Sequence, residues 1–314
     1  MTGSLGSTTL DALMPAEMAA KAEQIGVRKA AMPSLATFVL AVLAGAFIAL
    51  GALFATTVMA GATGVLPYGI MRLLAGLVFS LGLILVVVGG AELFTGNALI
   101  VMAWTTRRVS TRVLLRNWLV VYLGNFVGSV GTVLLMFLSG QYRFGGGAVG
   151  VVALATGAGK LEYGFIQAVA LGVLCNALVC LAVWLTYSAR STTDKIMAVI
   201  FPITAFVAAG FEHSIANMYF IPIALMIRDL APPEFWTMIG KSAGDYGVLT
   251  WGNFLFRNLL PVTIGNIIGG AVLVGSVYGL VYLRPRGTGQ DRPDGPGATS
   301  APPAPGPPPG ESGR

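Results

Sequence analysis

Long apolar stretches alternate with short polar ones along the chain. A membrane-spanning helix needs about 20 mostly apolar residues, and six stretches qualify: residues 35–61, 70 to about 104, 113–138, 165–187, 196–227 and 254–283. The second and fifth are too long for one straight crossing, and each is interrupted near its middle. The second carries Gly89-Gly90-Ala91-Glu92 and the fifth Gly210-Phe211-Glu212-His213. Ionisable side chains at bilayer depth are costly and therefore functional candidates from the outset. The pattern predicts an all-α polytopic membrane protein with six transmembrane helices, the second and fifth of them broken.

The two interruptions share a frame. Gly90-x-Glu92-x4-Asn97 matches Gly210-x-Glu212-x4-Asn217, and the flanking spans match in the same order. Phe38-x6-Gly45 pairs with Phe165-x6-Gly172, and Arg116-Asn117-x6-Gly124-Asn125-x2-Gly128 with Arg257-Asn258-x6-Gly265-Asn266-x2-Gly269. Three spans per copy is an odd number, so the copies, about residues 35–138 and 161–283, must cross in opposite senses. Inverted repeats with interrupted segments at equivalent places point to a substrate path at their interface, near the midplane.

Composition agrees. The chain is 55% hydrophobic and 10% charged, with a mean hydropathy of +0.79, against roughly 25% charged residues in a soluble domain. The net charge of +6 sits in loops and tails rather than on a basic, aromatic-interleaved surface, so nucleic acid is not an expected partner. Thirteen of the nineteen Lys and Arg residues flank the spans on the side of the two termini, which predicts both termini in the cytoplasm. Residues 1–30 of the N-terminal segment, 1–34, lack the leading apolar core of a signal peptide. Leu10, Leu13, Met14, Met18 and Ile25 recur there at roughly helical spacing, which fits either an amphipathic helix against the membrane face or channel mouth or a solvated tail. Residues 285–314, rich in Pro and Gly, read as a disordered cytoplasmic tail.

Candidate chemistry is sparse. His213 is the only histidine, and no phosphate-binding loop, His-Glu-x-x-His motif or cysteine-rich metal site occurs, so no metal or other cofactor is expected. Cys175 and Cys180 lie about 140° apart on one helix, which favours packing over a disulfide.

Phe79-Ser80-Leu81-Gly82-Leu83, Ala91-Glu92-Leu93-Phe94-Thr95, Gly124-Asn125, the run from Phe211 to Met218 and the run from Pro261 to Gly270 together resemble the formate/nitrite transporter family. Ile221-Pro222, Ile227-Arg228-Asp229 and Pro233-Glu234-Phe235-Trp236-Thr237 are most similar to its bacterial formate-channel branch. The resemblance implies an aquaporin-like protomer in a homopentamer, multi-pass in the bacterial inner membrane, that moves formate or a similar small anion with proton coupling, in contact with membrane lipid, and not an enzyme. It implies His213 and Thr95 at the pore centre, Leu83, Leu93 and Phe94 as a cytoplasmic slit, and Phe79 and Phe206 as a periplasmic one. Without the family these apolar residues are ordinary core. His213, likewise, could merely bond a carbonyl freed by the helix break.

By the same resemblance Lys160 supplies a vestibule charge. Asn176 and Asn266 either donate to an anion or bond between helices. Glu92, Glu212, Asn97 and Asn217 form a structural frame around the breaks. Nitrite or hydrosulfide transport stays open within the family. A neutral-solute channel of aquaporin type, whose Asn-Pro-Ala signature is absent, and a membrane-embedded subunit without transport activity are the alternatives outside it.

Overall fold

A computed structural model describes residues 12–283; the expected C-terminal tail and Leu10 lie outside that range. Six helices in it are long and apolar enough to cross a membrane. Span 1 is Ser34–Met59, span 2a Tyr68–Gly89, span 3 Thr111–Leu138, span 4 Phe165–Ser188 and span 5a Thr192–Ala209, and span 6 covers residues 251–282. Shorter helices complete the broken spans: span 2b, Phe94–Thr105, and span 5b, Ser214–Leu230. A further short helix, Pro233–Ile239, turns away from span 5b by 110°.

Both breaks fall where the sequence places them. Spans 2a and 5a each end on a glycine in the left-handed region, Gly90 at φ +79° and Gly210 at φ +78°. Glycine adopts that geometry without a Cβ penalty, and it terminates each half-helix sharply. The chain then runs extended for three residues before the second half-helix begins, capped by Leu93 or His213.

Span 1 packs on spans 2a and 3, span 4 packs on spans 5a and 6, and spans 2a and 5a meet between the repeats. Small residues set these approaches. Gly124 lies against Ala41 and the Phe38 carbonyl, and Gly128 against the Val42 carbonyl. In the second repeat Gly265 lies against Gly172 and the Val169 carbonyl, and Gly269 against the Val173 carbonyl. These contacts correct the repeat alignment: Ala41, not Gly45, is the counterpart of Gly172, and Phe38 answers to Val169 rather than Phe165. The error is one helical turn. A slip of four residues returns nearly the same helix face, so the sequence pattern alone barely distinguishes the two registers.

The N-terminal segment is a packed helix, Pro15–Ala31, not a solvated tail. Its first turn is closed by Glu17, whose Oε2 accepts from the Met14 amide at 2.8 Å. The buried stripe is Met18, Ala19, Ala22, Gly26 and Ala30, while Met14 faces outward. Leu13, Met18 and Ile25 of the helical pattern do face the core, but most of the buried stripe is made of small residues that the pattern does not mark. Gly26 sits over Ile100 and Ala103 of span 2b. The helix Ala148–Gly159 stands in the same relation to span 5b, with Gly157 over Phe220 and Ala224. Each repeat thus begins one helix earlier than its first span.

Large apolar side chains such as Leu35, Leu138, Ile166 and Phe201 point outward from the spans, as expected of surfaces covered by lipid or a neighbouring protomer.

A Cβ at Gly128 would drive into the Val42 carbonyl, whereas one at Gly131 in the same helix meets nothing. Gly128→Ala should therefore lower the thermal unfolding midpoint in detergent, at a cost of about 1–3 kcal/mol, and Gly131→Ala should not. Equal midpoints for the two variants would refute this packing.

Candidate functional site

The two breaks meet at the centre of the molecule. His213 is the N-cap of span 5b, its Nδ1 accepting from the Ala216 amide at 3.0 Å. Its Nε2 lies 3.0 Å from Thr95 Oγ1, in the first turn of span 2b. The N-termini of both half-helices therefore face one another across this contact, and their partial positive charges converge there. Because the backbone N–H occupies Nδ1, the neutral ring carries its proton on Nε2 and donates it to Thr95 or to whatever replaces that hydroxyl. Both side chains are buried, Thr95 at 0% and His213 at 3% exposure.

A cavity opens on either side. One, of about 550 Å³, is lined by Lys29, Leu83, Glu92, Leu93 and Asn97. The other, of about 350 Å³, is lined by Arg72, Phe79, Lys160, Phe206, Glu212 and His213. Leu83 and Leu93 wall the larger cavity towards the centre. Phe94 packs edge-on against Tyr122 at 4.9 Å between ring centroids. On the other side Phe206 stacks on the His213 ring at 5.8 Å, and Phe79 meets Phe206 edge-on at 5.6 Å. Of the five apolar residues expected at constrictions, Leu83, Leu93, Phe79 and Phe206 line the two cavities, whereas Phe94 lines neither and packs on Trp118 and Tyr122 of span 3.

The frame residues form two matching clusters. Glu92 Oε1 accepts from Lys29 Nζ at 2.8 Å and Oε2 from Asn97 Nδ2 at 2.7 Å. Glu212 Oε1 accepts from Lys160 Nζ at 2.7 Å and Oε2 from Asn217 Nδ2 at 2.6 Å. Asn117 and Asn258 close the clusters, each accepting through Oδ1 from Asn97 or Asn217 at 3.0 and 2.7 Å. The clusters differ in two places: Asn258 Nδ2 donates to Glu212 Oε2 at 3.2 Å, a bond Asn117 does not make to Glu92, and the lysines treat the other asparagine differently. Lys29 also donates to Asn97 Oδ1 at 3.0 Å, whereas Asn217 Oδ1 has no partner and Lys160 lies over the Phe220 ring, 5.3 Å from its centroid.

Asn266 belongs to the scaffold and has no donor left for an anion. Its Nδ2 gives hydrogen bonds to the Gly172 and Glu212 carbonyls at 2.8 and 2.9 Å, and its Oδ1 accepts from the Ser214 amide at 2.9 Å. Asn125 does the same for span 2b, bonding the Ala41 and Glu92 carbonyls and the Phe94 amide. Asn176 donates one Nδ2 hydrogen to the Asn266 carbonyl at 2.6 Å. Cys180 Sγ lies 3.3 Å from the Thr95 carbonyl as its donor, and both cysteines are free and buried. No group of three His, Cys, Asp or Glu able to hold a metal occurs among the described residues.

Two residues of the site escaped sequence reasoning. In the sequence Lys29 reads only as a flanking charge, although Gly26-x2-Lys29 and Gly157-x2-Lys160 repeat one motif. Asn125 stood in the motif of span 3 without a role. The repeat also shows that the partners at the centre are not counterparts: His213 answers to Leu93, and Thr95 to Ile215, as the common frame of Glu92 and Glu212 dictates.

Residues 16–280 match the family described as formate/nitrite transporter. The formate channel FocA of Escherichia coli (strain K12) is 51% identical over 274 residues, covering 87% of this chain and 96% of that protein. The formate channel FocA of Haemophilus influenzae is 43% identical, covering 84% and 93%. A solved structure described as a pentameric formate channel with formate bound matches with a TM-score of 0.75 and 47% identity, over 80% of this chain and 98% of that one. With motif, fold and likeness in agreement over nearly all of the described residues, the chain belongs to the formate/nitrite transporter family.

Proposed function

We propose that the protein passes small monovalent anions across the bacterial inner membrane, formate first, through the centre of each protomer of a homopentamer, with proton exchange at His213. The observation that carries this reading is the buried Thr95–His213 contact at 3.0 Å, set between two half-helix N-termini and flanked by apolar walls and a cavity on either side. An anion leaving either cavity sheds water at the apolar residues, because such constrictions exclude hydrated ions. At the centre it meets the Nε2–H of a neutral imidazole, the Thr95 hydroxyl and the positive ends of two helix dipoles. A proton shared there spreads the charge and lowers the barrier to the next apolar wall. Formate comes first because relatives at 51% and 43% identity are formate channels.

The orientation follows from charge. Lys21, Lys29, Arg108 and Arg116 cluster around the mouth of the larger cavity, which supports a cytoplasmic assignment of that face. Lys21 Nζ donates to the Tyr187 carbonyl at 2.7 Å. Burial, with Lys195 and Arg190 nearby, holds its ammonium below the usual lysine range.

His213→Ala removes the only imidazole in the chain. In proteoliposomes its formate flux should lose the part of its response to pH that proton exchange at this ring supplies. A wild-type pH profile in this variant would eliminate the proton-exchange step. Glu212→Leu should act on stability instead, because it strands Lys160 and two amides: about 3–5 kcal/mol is expected for a broken buried pair, read as a lower midpoint in detergent. His213→Ala should lower that midpoint less, by the roughly 1 kcal/mol of a lost N-cap. A stable Glu212→Leu protein lacking flux would move the glutamate from the scaffold into the transport chemistry.

A further inference from the structure

The cavity on the His213 side contains four charged residues, and their charges are not equally available. Lys160 is matched by Glu212 at 2.7 Å, with side-chain exposures of 15% and 1%, so an approaching anion meets a pair of zero net charge. Glu162 is exposed at the rim, where water screens it. Arg72 is half-buried in the wall and enters no ion pair among the described residues. Its guanidinium donates to the Ala208 carbonyl at 3.3 Å and to the Val207 carbonyl, in the last turn of span 5a. A helix C-terminus carries about half a negative charge, which one guanidinium more than offsets. Of its five N–H groups, two go to these carbonyls.

The arrangement is one-sided. Thr192 holds the matching place in span 5a, so the other break has no such cation from the equivalent position.

We infer that Arg72 supplies the uncompensated positive charge of this cavity and sets how readily small anions are drawn in from that face, a role that rests on the anion-passage reading above. The vestibule charge expected of Lys160 is spent on Glu212; Arg72 takes its place while covering the carbonyls of the broken helix. Steering of this kind acts through the rate of capture and fades with salt, because the Debye length falls from about 30 Å at 0.01 M to about 8 Å at 0.15 M ionic strength.

The test is formate uptake by full-length protein in sided vesicles, measured against concentration at both ionic strengths. For the wild type the half-saturating concentration at the Arg72 face should rise with salt. Arg72→Gln should raise it on the order of fivefold at low salt and remove most of the salt response, with maximal flux retained. Arg72→Lys should stay near the wild type. An Arg72→Gln protein that matches the wild type in half-saturation and salt response overturns the inference. Should Arg72→Gln fail to assemble, the wild type carries the test: a half-saturating concentration at this face that does not rise with salt would overturn the inference equally. Absence of formate flux in the wild type itself would count against the proposed function instead.

Discussion

Breaking two helices inside a bilayer frees backbone N–H and C=O groups where no water can satisfy them, and everything else in this fold answers that constraint. The answer is one asparagine per repeat. Asn125 and Asn266 each tie the first free amide of a half-helix, a carbonyl of the neighbouring unbroken span and the carbonyl of the frame glutamate into one clamp. Behind each clamp a glutamate holds an asparagine and a lysine. The close approach of spans 1 to 3 and 4 to 6, set by Gly128 and Gly269, is what brings the clamp within reach. Packing by small residues and satisfaction of the breaks are therefore one design.

Much of this was legible in the sequence, because its physical causes are local. Span length, the interrupting glycines and the recurring glutamate–asparagine frame follow from composition and spacing, and the helix breaks at Gly90 and Gly210 lie where the pattern puts them. What was not legible depends on which side chains meet across the fold. Gly45 looked like the partner of Gly172 because a four-residue slip preserves a helix face. Asn266 looked free to donate to a ligand because an amide in an apolar helix gives no sign of where its hydrogens go. Lys29 was hidden by distance in sequence from Glu92, and Arg72 by its place in the first turn of a span, where an arginine reads as an interfacial residue.

The glutamates illustrate why an ionisable residue at bilayer depth needs its partners before it is given a role. Glu92 and Glu212 are nearly fully buried, which by itself marks both as candidates for transport chemistry. Each, however, has one oxygen on a lysine and the other on an asparagine, so a proton taken up by either would have to disrupt a buried ion pair. Their charge is balanced at source. The cost of burying it is met by the pairing, and the field reaching the centre from either cluster is that of a dipole rather than a net charge.

The symmetry of the frame is also what gives its exceptions meaning. Two clusters, two clamps and two glycine breaks are shared between the repeats; His213 against Leu93, Thr95 against Ile215 and Arg72 against Thr192 are not. The first two exceptions meet each other at 3.0 Å, although one belongs to each repeat, so the hydrogen-bonded pair exists only where the halves assemble. A capping backbone amide fixes the imidazole in the form that presents Nε2–H to that meeting point. A charged ring would have to surrender the same amide and add its charge to two converging positive dipole ends. Donation of a hydrogen bond from the neutral ring is therefore the resting chemistry of the site, and a full proton transfer requires the anion's own negative charge to be present at the centre.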